Sequence, residues 1–578
     1  MNASYRHFGA GLVLLSLLAG VSCQEEYLPI EAAIEIPEAP KETLCSVKDH
    51  GAVGDGDTYD TAAIQAAIDD CAKHPEGGVV IFEENGRYHS AQIVVKNGVR
   101  LRLPKTTTLL AGIKREDYPK IYDDWYFILF SECTNCGIEG EGRVDGQGSL
   151  WVYGGTAEQK AVTNWDDASC TMPKQCRPHL IGVKASSLVT IEGMELYDAV
   201  HWTVHIEHSE TVAVNNCNIW GDPLIPNSAG IVIDGSKRVY LGENTISTAD
   251  NAITVRTPQA SHGMELLLVD GGILQSRSSA IQIGHESRAM FSSLAFQNIS
   301  IVQSHRGIAV ALRDEGSMEG LQFTNITVET FFYERAWLGG AEPIHITALP
   351  RSVNTEVGTI SDVRFQNVTC TAEAGIVVAG SVDATIEGLV LENVGIELVQ
   401  QTDYAGGFLD YRPGVRGVVD DVQTSAIFIE FANHISLNTV EVVWGKPARP
   451  EWSQALEITP RTVHALHVTE LFVHDESAHP HGREDQGGSA RATMMAWVRR
   501  IENNLRSSNK AFLGLEANAA SGVLGRRAAS SASVIIIVLV AVVFMVFVVS
   551  GIVGHFDMRA KRHARTAEEA KFEKVAQA

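Results

Sequence analysis

Positive charge is scarce in this sequence. Against 70 Asp and Glu stand only 46 Lys and Arg, for a formal net charge of -24 and a pI near 5.3. That deficit excludes a nucleic-acid partner, which needs a basic face. It also opposes an acidic polysaccharide unless a local groove reverses the sign. Cysteine is sparse too, with nine in 578 residues. The single C-x-x-C, Cys133-Thr134-Asn135-Cys136, has no second pair to complete a zinc site. Buried strand cysteines are expected there, and no metal or other cofactor is implied. Cys45 and Cys71 flank the first strand and helix, and Cys170 and Cys176 share a short loop. Both pairs are disulfide candidates in an exported chain.

Two stretches lack charge altogether. Arg6 and His7 precede the apolar run Leu12 to Leu18, with small Gly20 and Ser22 ahead of Cys23. Residues 1–23 therefore read as a signal peptide, too short to span a bilayer. The second stretch, Ser533 to Val553, lies in the predicted membrane segment 528–554. At about 20 uncharged residues it matches the hydrocarbon thickness of a bilayer. Arg559, Lys561, Arg562 and Arg565 follow it, against Arg526 and Arg527 before it. The positive-inside rule puts the tail 555–578 in the cytoplasm and the body outside. The expectation is a single-pass type I surface protein, with the lipid bilayer as one partner.

An internal repeat fills the middle of the chain. Its copies include TVAVNNCNI from Thr211, SLAFQNISI from Ser293, GLQFTNITV from Gly320 and DVRFQNVTC from Asp362. Most lie about 23 to 28 residues apart, a solenoid period too short for a propeller blade, and leucine-rich spacing is absent. Alternation turns Val, Leu, Ile and Phe inward, and the Asn positions suit tight left-handed turns with ladders between coils. One coil cannot bury its apolar row, but stacked coils can. The prediction is an all-β chain, a right-handed parallel β-helix over residues 46–474 after a lead at 24–45. A polar stalk, 475–527, follows. Asn298, Asn325 and Asn367 begin N-x-S/T sequons, candidates for glycosylation that the turn itself also explains.

The run Asp49-His50-Gly51-Ala52-Val53-Gly54-Asp55-Gly56-Asp57, then Thr61 to Ile68, then Gly77-Gly78-Val79-Val80-Ile81-Phe82, resembles the opening of pectin-active β-helix enzymes. The resemblance implies an N-terminal capping helix over the open end of the solenoid. Gly140 to Gly148, Arg177-Pro178-His179-Leu180 and Trp202 carry it further, to glycoside hydrolase family 28. It covers roughly residues 46 to 474.

That family uses N-T-D, G-D-D, G-H-G and R-x-K motifs around one groove. Inverting hydrolysis needs a protonated acid at the leaving oxygen and carboxylates that activate water on the opposite face. Here the four read Asn227-Ser228-Ala229, Ala249-Asp250-Asn251, Ser278-Ser279-Ala280 and Ala309-Val310-Ala311. Asp250 alone keeps its carboxylate, at the position of the general acid. Ala229, Ser279, Ala309 and Ala311 depart from the pattern, and Asn251 is an amide. Loss of nearby like charge is expected to lower the Asp250 pKa relative to a three-carboxylate site. Asn227, Asn251, Asp234, Glu286, Asp314 and Asp410 are candidate groove residues. Gly284-His285-Glu286-Ser287 resembles a segment of one family branch, and Asp410-Tyr411-Arg412-Pro413 resembles a loop of bacterial relatives. For each acid, a solvated turn or an ion pair competes with a catalytic role.

Two functions follow. One is a surface glycoside hydrolase acting on a pectic or related polysaccharide. The other is a catalytically silent β-helix that binds glycan. A lyase ranks third, since no Ca²⁺-binding Asp cluster is visible. The sequence leaves the oligomeric state open.

Overall fold

Period-2 alternation resolves into three parallel β-ladders wound around one core. The computed structural model describes residues 43–119, 121, 124–153 and 177–475. The predicted signal peptide, most of the lead and stalk, the membrane segment, the tail, and Cys170 and Cys176 lie outside them. Among the described residues no helix is long and apolar enough to cross a membrane.

Two ladders belong to one large sheet. One begins at Leu44–Ser46 and the other at Asp55–Tyr59. They merge where single strands lengthen to 13 residues and turn the corner unbroken: Met318–Thr330, Ile360–Ala372, Ile386–Leu398 and Ala432–Trp444. The third ladder is a separate sheet of 12 strands, from Ile93–Val95 to Leu456–Ile458. This is a parallel β-helix with few helices. Its buried apolar cluster runs unbroken from Cys45 to Leu471.

The repeat explains the corners. Asn298, Asn325, Asn367 and Asn393 sit at φ 58°, 55°, 56° and 53°. Asn tolerates this left-handed region better than most residues. Each amide donates to the Asn one coil below: Asn325 to Asn298 at 3.2 Å, Asn367 to Asn325 at 3.0 Å and Asn393 to Asn367 at 2.8 Å. Asn298 ends the row on Asp270 at 2.7 Å. Inside, Phe296, Phe323 and Phe365 stack with centroids 5.1 and 4.5 Å apart.

The capping helix spans Thr61–Cys71 and buries Ile64, Ala67, Ile68 and Cys71 against the first coil. Asp60 precedes it but spends its carboxylate elsewhere, accepting from Val53 N at 2.7 Å and Gly54 N at 3.0 Å. That contact folds the glycine-rich turn onto the helix start. A disulfide joins Cys45 to Cys71. Cys133 and Cys136, expected as separate buried thiols, are joined to each other instead. Their strand turns between them at Asn135, φ 54°, which brings the two side chains together.

Candidate functional site

The outer face of the 12-stranded sheet carries the chemistry. Within Val204–Glu207, Ile231–Asp234 and Ile253–Thr257, the residues Ile206, Ile231, Ile233, Ile253 and Val255 fill the core. Alternation turns their neighbours outward. Register then aligns Glu207, Asp234 and Arg256 in one row, and His205, Val232 and Thr254 in the next. The turns that lead into these strands hold Asn227, Ala229, Asp250 and Asn251.

Asp250 is half-buried. Its Oδ1 accepts from Asn251 N at 2.8 Å. Its carbonyl oxygen accepts from Thr248 Oγ1 and Ser276 Oγ, both at 2.8 Å, which fixes the turn. Burial raises the carboxyl above its ordinary value, and the Asn251 bond, Arg177 and Arg256 oppose this only in part. Relative to its ordinary value the shift is therefore upward, because desolvation outweighs two guanidinium charges.

The flanking positions bring no second carboxylate. Ala229 is 2% exposed. Asn251 turns its amide oxygen to Ser279 N at 3.0 Å, tying two successive coils together. Asn227 sits at φ 58° before the strand. The Ser279 hydroxyl donates to Gln282 at 3.3 Å.

On the strands of the same face lies a second group. Arg256 donates to Asp234 through Nε at 2.8 Å and Nη2 at 2.5 Å, and through Nη1 to Glu286 at 2.5 Å. Its guanidinium lies 4.6 Å from the Trp202 ring centre. His205 bridges Asp234 Oδ2 at 2.9 Å and Tyr126 Oη at 3.1 Å. Burial alone raises the Asp234 carboxyl, but Arg256 and His205 outweigh it and hold it far below the usual range. His179 and His201 meet nitrogen to nitrogen at 3.1 Å. Burial lowers His179 to about 4, so both rings are neutral at neutral pH. Asp124, His179 and His205 present donor atoms within 4.8 Å of one another, a possible ligand set for a cation. Each ring is already engaged by a neighbour, however.

Sequence reasoning missed Arg256, Tyr126 and His201. Arg256 was within reach, since alternation from buried Ile253 and Val255 puts residue 256 beside Asp234. Tyr126 and His205 are 79 residues apart, and no local pattern links them.

The remaining candidates are spent on structure. Asp314 is 3% exposed and held by Arg351 and by Ser287 N. Asp410 is fully buried. It accepts from Gly339 N at 2.9 Å and from Arg412 N and Nε at 3.0 and 2.9 Å. It anchors a strap, residues 399–425, laid over the sheet. Arg306 pairs with Glu342 and donates to the Asp410 carbonyl at 2.9 Å. Arg313 donates to the carbonyl of Pro413 at 2.7 Å. Tyr411 packs on Leu349, Val377 and Ala379. Ala309 and Ala311, where the resemblance calls for a basic pair, are 0% and 5% exposed beside His345 and Thr347.

Two family models match the chain. The model described as glycosyl hydrolases family 28 matches residues 88–405. One described as rhamnogalacturonase A/epimerase, pectate lyase-like, matches residues 44–102. A probable polygalacturonase of Vitis vinifera is 22% identical over 320 residues, 51% of this chain and 62% of that protein. The chain thus spans about three fifths of that relative's length. The plasmin and fibronectin-binding protein A of Streptococcus pneumoniae is 31% identical over 193 residues, 32% of this chain and 25% of that one. Among solved structures, an exopolygalacturonase from Thermotoga maritima superimposes with a TM-score of 0.56 at 18% identity. That match covers 72% of this chain and 94% of the other, a likeness of fold.

Proposed function

From the premise that this chain belongs to glycosyl hydrolase family 28, we propose that it is a cell-surface glycoside hydrolase with a weakened site, acting on a pectic or related polysaccharide. The observation that carries this reading is the Asp250 carboxyl, raised by burial at the position of the family's acid. A raised carboxyl keeps its proton further toward neutral pH, as donation to a leaving oxygen requires. Ala229 and Asn251 beside it supply no carboxylate to activate water, and a general base is worth about 10²- to 10⁴-fold. Ala309 and Ala311 give a uronate no cation, so polygalacturonate is not the favoured substrate. The test is reducing-sugar release by the purified protein from a panel of pectic and neutral glycans. Slow release abolished by Asp250→Asn supports the reading. Strong neutral-pH polygalacturonase activity indifferent to Asp250→Asn overturns it.

A second reading is favoured by Asn251, whose amide oxygen is committed to Ser279 N. The groove then binds glycan and cleaves nothing. Binding of one panel member, with no release from any, selects this reading.

The surface location rests on the uncharged run Ser533 to Val553 and its basic flank. A chain ending at Ser521 is expected free in the medium and the full chain in the membrane fraction. Uncleaved full chain in the medium overturns this.

A further inference from the structure

Beneath the strap lies a cavity of about 360 Å³, away from Asp250. Its floor is the outer face of strands Ile376–Ala379, Ile427–Glu430 and Leu456–Ile458. From Ile253–Thr257, beside Asp250, the register passes through Ser279–Ser287, Arg306–Leu312 and Ile344–Ala348 before it reaches Ile376–Ala379. Four strand spacings of about 4.8 Å put the cavity roughly 19 Å along the solenoid axis.

Phe428, half-buried, supplies aromatic surface, and Phe408 and Tyr411 back the wall at 4% and 2% exposure. Glu342, Glu430 and Glu457 also line the cavity. Two of these acids are neutralised, Glu342 by Arg306 and Glu430 by Arg416. Glu457 accepts from Ser425 Oγ at 2.5 Å, and among the described residues no cation pairs with it. The cavity thus joins an aromatic face, that of Phe428, to one uncompensated carboxylate with free acceptor capacity.

We infer that this cavity is a binding site for a neutral pyranose, a terminal or side-chain sugar of the polysaccharide. The volume is near the lower end of small-ligand pockets, about 300–1,000 Å³, so it takes a saccharide end rather than a running chain. The C–H face of a pyranose covers aromatic rings, and its hydroxyls donate to carboxylates in strong charge-assisted bonds. A uronate brings a second negative charge beside Glu457, and like charges repel. The strap that forms the roof is pinned by Asp410 and Arg313, so the site is built before ligand arrives. None of this requires Asp250 to cleave anything.

The test is calorimetric titration of the purified protein at pH 7 with galactose, rhamnose and xylose, and with galacturonate as the charged comparator. At least one neutral sugar is expected to bind, and galacturonate more weakly than that sugar. Glu457→Gln is a surface-sparing change, expected to narrow the gap between the two classes. Phe428→Ala is expected to weaken the neutral sugar at least tenfold. No binding by any neutral sugar, or galacturonate bound as tightly as the best of them, overturns the inference. Because the readout is binding, the result stands apart from whether Asp250 supports turnover.

Discussion

Arg256 grips Asp234 with two hydrogen bonds, from Nε and Nη2, between directly paired rungs of neighbouring coils. The pair lies on the outer face of the sheet yet is largely buried, with side chains 14% and 4% exposed. Breaking such a pair from one side leaves an uncompensated charge, at a cost of about 3–5 kcal/mol. Arg256 also holds Glu286, so Asp234→Asn is expected near the low end of that range. The sign of its pH dependence follows from the depressed carboxyl. Its stabilisation is present above the unfolded value near 3.8 and is lost as pH falls below it. Melting curves from pH 5 to 2 should therefore fall less steeply for Asp234→Asn than for the natural protein. An unchanged slope means the pair contributes nothing.

The buried histidines add a second acid-sensitive contribution, over a different window. Burial lowers His285 and His305 to about 3, against an ordinary 6.5. The unfolded chain takes up these protons first, so stability present above pH 6.5 declines as pH falls toward 3. His305→Leu is expected to flatten the melting profile between pH 6.5 and 4. Equal profiles for the two proteins would count against this.

The Asn ladder separates two effects at one position. Asn325 donates to Asn298 and accepts from Asn367, at φ 55°. Asn325→Ala loses both bonds, each worth about 0.5–1.5 kcal/mol, and puts in the left-handed region a residue that adopts it less readily than asparagine. Asn325→Gly loses the same bonds without that strain. Chemical denaturation should rank the natural protein above the glycine variant, and glycine above alanine. Alanine equal to glycine means the backbone conformation carries no cost.

These turns show what was legible in the sequence and what was not. Each Asn corner, each inward Phe and the capping helix depend on residues close in the chain, so a period and a turn preference suffice to place them. Phe323 and Phe365 lie in register within the core, as alternation requires. Removing either ring should cost about 3–5 kcal/mol. The strap was not legible in the same way. Arg306 meets the carbonyl of Asp410 across 104 residues and Arg313 meets Pro413 across 100. Asp410 thus looks like a free loop acid until its partners are in place. Asp314 is similar, since Arg351 arrives from another coil. Asp250 was legible because the motif around it is local, but its burial is not a property of the motif.

The last prediction restores what the site lacks. Asp250 must be protonated to act as an acid, so any hydrolysis should fade as pH rises through its raised pKa. Asp250→Asn should abolish it. Asn251→Asp keeps an oxygen able to accept from Ser279 N, so the tie between coils survives the change. Ala229 is 2% exposed, so Ala229→Asp places a second carboxylate on the turn one coil away, at some cost in stability. Two new like charges near Asp250 raise its pKa further and supply the missing base. The double variant should release reducing sugar about 10²-fold faster, or more, than the natural protein, with the active range extended toward neutral pH. A folded double variant no faster than the natural protein would mean that the groove is not a hydrolytic one, and the glycan-binding reading would then stand alone.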